Sequence, residues 1–488
     1  MLRFVFVFLI FLSLGQKAVA SYEVNENCKD AWMLLMDLKI EEAKALLREE
    51  TRINPENYFA YYLDQTCDAY KMIIDSDEDD YEAFIDNFDK KREIMDGNDV
   101  DSPYYLACYS EMEIQLGMFK IIHGAQYSGV RKMYAGYRKV YRNLDKFPHF
   151  KPSLKLDGFF NVAMSTMPPF VKWVVSFFGI STDIDYGFKL LNDNYQSQKN
   201  IKGINAESAL FIILVAKINK TPEMVYDFTK SLDSNISRTF IHRYFKANIA
   251  YRIGKNEEAL KTLQQIHPSK SSSAQIAYNY LMGKIRLQKL DDSAAYYLSE
   301  YIRHLKKKEY VKEINYKLAL YYLINNKPSK YLEYCEIVRE NGSDMNERDR
   351  EALYDASLDY LPDVNLVKAR LLFEGGYLDR FKFAIKDYEA NTSDLLPYDL
   401  EYRFLKARYD ALLSNKNDAK AGFKKVIELG DDEDYYFASE AALRLGNIYL
   451  QEGNVSLAKA YYEKSLKLYK SNYYEYIEDK ATKALRNL

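Results

Sequence analysis

LGNIYLQEGNVSLAKAYYEKS, residues 445–465, is the stretch that decides how this chain folds. Its small and large residues alternate in a way that suits two short helices pressed together. Gly446 and Ala458 stand where the two helices would touch most closely, because a bulky side chain there would push the axes apart. Tyr449 and Tyr462 are placed to pack around that contact, with Ser465 completing the second helix. Gly453 falls between the two helices and eases the turn. The predicted unit is therefore a helical hairpin.

The same offsets recur along the chain. Ala31, Leu34, Leu38, Ala43 and Leu47 form an N-terminal copy at about 28–60, and Pro55 arrives where one helix should stop and the next begin. Ala247, Gly254 and Ala259 make a weaker copy. Gly283, Leu290 and Ala295 follow, with Gly283 lying 36 residues after Ala247. Ala319, Tyr322 and Cys335 come next. After a longer gap, Ala369, Gly376 and Ala384 form another copy, and Ala407, Ala419 and Phe423 lead into the final unit. The spacing resembles that of the tetratricopeptide repeat, a pair of helices in about 34 residues. The chain is thus expected to be all-α, an α-α superhelix of antiparallel helix pairs of the tetratricopeptide type.

Composition agrees with helices joined by short loops. Gly at 19 and Pro at 11 in 488 residues are too few for the many turns of a β-sandwich. Tyr is abundant at 45 copies against 2 Trp, and its amphipathic ring suits half-exposed faces. Residues 57–75, 80–96 and 103–146 read as further amphipathic helices, with turn signals at Asp75-Ser76-Asp77 and Gly97-Asn98. The acidic runs 77–80 and 431–434 are expected to cap the helices that follow them; neither has the spacing of a calcium loop.

Residues 1–20 read as a secretory signal: Arg3 near the start, an apolar run from Phe4 to Leu14, then Ala18-Val19-Ala20 before Ser21. That predicts export, to a periplasm or an outer-membrane-associated position. Removing Arg3 and Lys17 moves the formal charge from -3 to -5, which gives no reason to expect nucleic acid. Cys28, Cys67, Cys108 and Cys335 lack metal-site spacing. Cys67 with Cys108 is the pair to test for a disulfide, although buried thiols in helices are the simpler reading. The organisation expected is a signal at 1–20, an N-terminal helical region at 21–156, an apolar segment at 157–200 and a repeat array at 201–488.

The segment 157–200 departs from the repeats. It is apolar from Phe159 to Ile180 and broken by Pro168-Pro169, which end any single helix. Three readings stay open: a buried helical hairpin, a surface dipping into a membrane with Lys172 and Trp173 at the headgroups, or an apolar pocket. Phe160, Pro168, Pro169, Trp173 and Phe177 are the candidate residues for the last two. Gly158-Phe159-Phe160-Asn161, Met164-Ser165, Met167-Pro168-Pro169, Phe178-Gly179, Asp183, Gly187 and Leu190-Leu191 together resemble the signature segment of the Iml2 and tetratricopeptide repeat 39 family. Thr182 and Ile184 stand where that family has glycine and arginine. The resemblance implies a right-handed superhelix, an association with membranes or lipid bodies, and no enzymatic activity.

No catalytic constellation is visible. His123, His149, His242, His267 and His304 are scattered, and there is no nucleophile elbow, phosphate loop or Cys-x-x-Cys. No cofactor and no metal are expected. Stacked helix pairs instead offer a long face lined by the first helix of each pair. Tyr278, Tyr280, Arg286, Tyr316, Tyr321, Arg403, Arg408 and Tyr409 are the candidate partner-binding residues, since Tyr and Arg build binding hot spots; plain packing between repeats is the competing role for each. The expected function is a scaffold that holds protein partners at or near a membrane. A glycan-binding surface protein of the starch-binding helical type and a lipid-handling protein using 159–180 are the alternatives.

Overall fold

The left-handed backbone positions show the repeat directly. Leu38, Gly254, Leu290, Asn326, Gly376, Ser414 and Gly453 all have φ between 54° and 79°, and each closes the turn between two helices. In every case the next residue returns its N–H to the carbonyl five positions back: Lys39 to Leu34, Lys255 to Ala250, Asp291 to Arg286, Lys327 to Tyr322, Tyr377 to Leu372, Asn415 to Asp410 and Asn454 to Tyr449, all at 2.8–2.9 Å. This is the Schellman closure, which satisfies the last carbonyls of the first helix and turns the chain into the second. Between Gly254 and Gly453 the intervals are 36, 36, 50, 38 and 39 residues. The long interval holds one extra helix.

The computed structural model describes residues 21–165, 183–198, 202–269, 272–470 and 474–488, and among them there are 25 helices and no strand. The expected signal at 1–20 lies outside the described residues, as do Pro168, Pro169, Trp173 and Phe177. The chain divides into two compact units: Met1–Ile249 with Gln264–Ile276, and Ala250–Leu263 with Ala277–Leu488.

In the first unit, α1 (Glu26–Met36), α2 (Ile40–Ile53), α3 (Tyr58–Ile74) and α4 (Glu78–Met95) pack in sequence. Ala31 and Ala43 are fully buried where α1 meets α2. Pro55 ends α2 but does not open α3, which begins three residues later. Asp77 caps α4 as expected, in a reciprocal capping box with Asp80. The predicted helix 103–146 is two, α5 (Pro103–Ile122) and α6 (Gln126–Lys146), because Gly124 at φ 82° makes the same kind of turn. Next come α7 (Lys151–Ser165), α8 (Ile184–Ser197), α9 (Lys202–Asn219), α10 (Pro222–Lys230) and the single turn α11 (Ser234–Ser237). α9 packs back on α1, α7 and α8. Residues 202–219 therefore pack within the first unit. α7 and α8 meet through Gly158 and Gly187: a Cβ on Gly158 would lie 2.9 Å from the Gly187 carbonyl oxygen, and one on Gly187 2.7 Å from that of Gly158. Two glycines of the resemblance segment thus serve close packing.

The helix α12 (Phe240–Arg252) leads into the second unit, followed by α13 (Asn256–Leu263), α14 (Ser273–Gln288), α15 (Ala294–His304), α16 (Val311–Ile324), α17 (Pro328–Glu340), α18 (Glu347–Ala356), α19 (Val364–Glu374), α20 (Leu378–Glu389), α21 (Leu396–Leu412), α22 (Lys416–Gly430), α23 (Tyr436–Gln451), α24 (Val455–Leu468) and α25 (Glu475–Arg486). The hairpins are α12–α13, α14–α15, α16–α17, α19–α20, α21–α22 and α23–α24. First helices also pack on first helices, α16 on α19, α19 on α21 and α21 on α23, so the hairpins stack in order. The extra helix is α18, which packs on α16 and α17.

The small residues at the repeat offsets are buried, with one exception. Ala247, Ala259, Ala407, Ala419 and Ala458 are buried to within 1% of full burial. A Cβ on Gly446 would lie 2.6 Å from the Tyr462 ring, and one on Gly283 2.7 Å from Leu298. At the second hairpin it is Ala294, fully buried, that makes the contact; Ala295 is half-exposed, because a turn over Asp291–Ser293 delays the start of α15 to Ala294. The run 431–434 caps nothing: Asp431 ends α22, and α23 opens after Tyr435 without a side-chain cap. All four cysteines are buried free thiols.

Candidate functional site

In the second unit the first helix of each hairpin turns one side to its partner helix and carries charged and aromatic groups on the other. Ion pairs run from one such helix to the next. Lys284 on α14 meets Glu313 on α16 at 2.6 Å, and Tyr280 donates its hydroxyl to the same carboxylate at 2.8 Å. Arg370 on α19 meets Glu401 on α21 at 3.4 Å. On α23, Arg444 pairs with Glu440 at 2.5 Å, and Tyr476 of α25 donates to Glu440 at 2.8 Å. Glu313, Glu401 and Glu440 are all buried. Buried carboxylates need such partners, since an unpaired one would carry a large desolvation cost.

Cations and acids are crowded together here: Arg348 pairs with Glu351 at 2.9 Å, and burial raises the carboxyls of Glu351, Asp355 and Glu401. Burial lowers the pKa of Lys284, with Arg348 and Lys317 adding to the fall against the pull of Glu313. Burial would raise Glu313, but Lys284, Lys317 and Arg348 outweigh it and hold its carboxyl below the usual range. Arg408 is lowered by burial and by Arg444. Its guanidinium lies over the Phe373 ring at 4.6 Å, and its Nε has no hydrogen-bond partner. At the edge of this face Arg252, Arg348 and Lys480 are exposed, and they come from α12, α18 and α25. Arg252 is lowered by surrounding protein and by Arg348; Lys480 is lowered by surrounding protein, then by Arg444 and Arg252. These groups are exposed, yet neighbouring protein and neighbouring cations both act on their charges.

The face is partly filled by the chain itself. Glu347 of α18 accepts the Tyr476 N–H at 2.9 Å, Arg350 pairs with Glu475 at 2.5 Å, and Asp355 accepts the Tyr474 hydroxyl at 2.6 Å. Tyr354 stacks edge-on against Tyr474 with ring centroids 5.4 Å apart. α18 is therefore laced to the start of α25.

The sequence candidates divide accordingly. Tyr280 belongs to the ion-pair network just described, and Arg408 to the aromatic wall. Tyr316 is 4% exposed in the core beside Cys335 and Val338, so it packs between repeats and reaches no partner. Tyr278 packs on Tyr297, and Tyr409 on Phe381. Arg286 pairs with Asp291 at 2.6 Å, Arg403 with Asp399 at 2.9 Å, and Tyr321 donates to the Asp292 carbonyl at 3.2 Å. Arg286 and Tyr321 tie helices to the turn after α14, and Arg403 pairs within its own helix. Phe160 is buried with Val140 and Leu156 in the first unit, against the Tyr137 ring. Sequence reasoning missed Arg252, Arg348 and Lys480. Its only signal for α18 was the long gap between Ala319 and Ala369.

Among the described residues no group of three or more His, Cys, Asp and Glu could hold a metal ion, and no helix is long and apolar enough to cross a membrane. The fold and the face together define an all-α array of tetratricopeptide-type helical hairpins. No family model matches the chain, and no curated protein is similar to it. Solved structures that align with it include a human IFIT1 dimer with m7Gppp-AAAA, at 14% identity over 93% of this chain and 91% of that one with a TM-score of 0.35. Yeast Tom70 aligns at 13% identity over 94% and 96%, TM-score 0.30. The tetratricopeptide domain of P58(IPK) aligns at 12% identity over 95% and 98%, TM-score 0.20. The assignment to the tetratricopeptide class rests on the hairpin geometry, not on these likenesses.

Proposed function

We propose that this chain is an exported scaffold that holds protein partners on the charged face of its second unit. One observation carries the reading. Arg252, Arg348 and Lys480 converge, exposed, from three helices far apart in sequence, and neither Arg252 nor Lys480 makes an ion pair among the described residues. Glu347 acts on both and Glu440 on Lys480, and each already accepts a hydrogen bond from Tyr476. A partner segment bearing carboxylates would relieve that repulsion in a site walled by protein, where charge-assisted hydrogen bonds are strongest. Export rests on residues 1–20, and a position near a membrane on the apolar run 159–180.

The test is crosslinking of the full chain in its native cell, followed by identification of what co-purifies. Arg348→Glu combined with Lys480→Glu reverses two exposed charges and should release the captured partner while the helical circular dichroism stays unchanged. Full retention of every partner by that variant would overturn this reading. Loss of membrane association on Val174→Asp with Phe177→Asp would support the membrane-proximal position.

A further inference from the structure

A cavity of about 420 Å³ lies in the first unit, and its lining shares no residue with the charged face. Its walls are the α1–α2 turn (residues 37–42), Lys71 near the end of α3, the start of α12 and the segment 265–274. Its volume is in the range of small-molecule sites. We infer that this cavity binds a small organic anion, a carboxylate or phosphate compound, gripped by Arg238 and Arg243.

The argument is a count of commitments. The cavity is lined by four cations, Lys39, Lys71, Arg238 and Arg243, and by three acids, Asp37, Glu41 and Glu42. Asp37 is spent on the protein: its carboxylate accepts the Phe240 N–H at 2.8 Å and so caps α12 from across the fold. Glu42 and Lys39 face each other at 3.9 Å within one turn, and Lys71 pairs with Asp80 outside the cavity at 2.8 Å. Two guanidiniums are left, facing Glu41 and the charge that Asp37 keeps, since a neutral N–H does not cancel it. Arg243 donates only to the Gln265 carbonyl at 2.7 Å, which leaves its charge unneutralised, and the exposed Arg238 has no partner among the described residues. Guanidiniums five residues apart on one wall are suited to bidentate recognition of an oxyanion.

The opposite wall is polar in the same sense. Ser269, Ser272 and Ser273 line it, and Ser273 and Ala274 begin α14. Ser272 caps the next N–H group of that helix, that of Gln275. The first N–H groups of α14, together with the serine hydroxyls and the exposed imidazole of His267, give further donors. The left-handed Leu38, at φ 54° and buried, fixes the facing turn. That wall is pre-organised, so the ligand need not pay to order it.

The experiment is isothermal titration of the full chain with citrate, with pyrophosphate, and with chloride at matched ionic strength. Saturable binding of citrate, pyrophosphate or both is expected, and which one binds assigns a carboxylate or a phosphate ligand. Arg238→Gln, on an exposed side chain that holds nothing else, should weaken binding about tenfold, the worth of one charge-assisted hydrogen bond. Arg243→Gln should weaken it at least as much. No saturable heat with either anion into the millimolar range would overturn the inference. So would an equal response to chloride, or unchanged affinity in Arg238→Gln.

Discussion

Replacing Lys155 by Met should damage the first unit more than any other single charge deletion. Lys155 is 3% exposed and stands between two buried carboxylates, Glu207 on α9 and Glu111 on α5, the latter at 3.3 Å. Its ammonium also lies 4.7 Å from the Phe211 ring. One cation serves two acids, so burial together with Glu111 pushes the Glu207 carboxyl up to about 7 despite Lys155. Removing the cation strands both acids, and breaking a buried pair from one side costs about 3–5 kcal/mol. The loss should be largest at pH 8 and smaller at pH 5, where the carboxyls take protons.

The same site predicts a pH dependence. A carboxyl raised on folding makes the native state bind more protons than the unfolded chain. Stability therefore falls as pH rises from the unfolded value of about 4.5 through about 7, by roughly 3–4 kcal/mol in all. His242 acts in the opposite direction. Buried, with Nδ1 2.7 Å from the Thr239 hydroxyl, it is lowered to about 4, so its contribution is lost as pH falls from about 6.5 towards 4. The informative quantity is the difference between Glu207→Gln and the parent. Urea unfolding followed through Trp32, which lines the same small cavity as Glu111 and Lys155, in a Trp173→Phe background, measures it. Relative to the parent, Glu207→Gln should gain stability steadily between pH 4.5 and 7. A difference that stays flat across that window, or a Lys155→Met loss under about 1 kcal/mol, would refute the reasoning.

Gly376→Ala should cost at least about 2 kcal/mol: φ is 79°, and the new Cβ would run into the Gly254 carbonyl oxygen where two hairpin turns meet. Ser414→Gly, at an exposed left-handed turn, should instead stabilise the second unit by about 1 kcal/mol in the same urea assay. Gly446→Val would force a side chain into the Tyr462 ring and should cost about 1–3 kcal/mol, read as a drop in the thermal midpoint. The four thiols should resist Ellman's reagent until denaturant is added, since all are buried and burial raises the pKa of each.

The sequence by itself determined the helices, their pairing and the contact residues. Gly446 facing Tyr462, and Ala407 and Ala419 buried in one core, are local demands: two helices joined by a short turn touch at fixed offsets, so composition at those offsets reveals them. It misplaced Ala295 by one position for a related reason, since helix starts are set by turn hydrogen bonds that spacing only approximates. Tertiary structure alone decided the rest. Arg252, Arg348 and Lys480, or Asp37 and Phe240, lie some hundred residues or more apart, and only packing between elements distant in sequence, such as α9 on α1, brings such residues near one another. Such meetings leave no periodic trace, because a charged side chain on a helix reads as a solvated one until the element that faces it is in place.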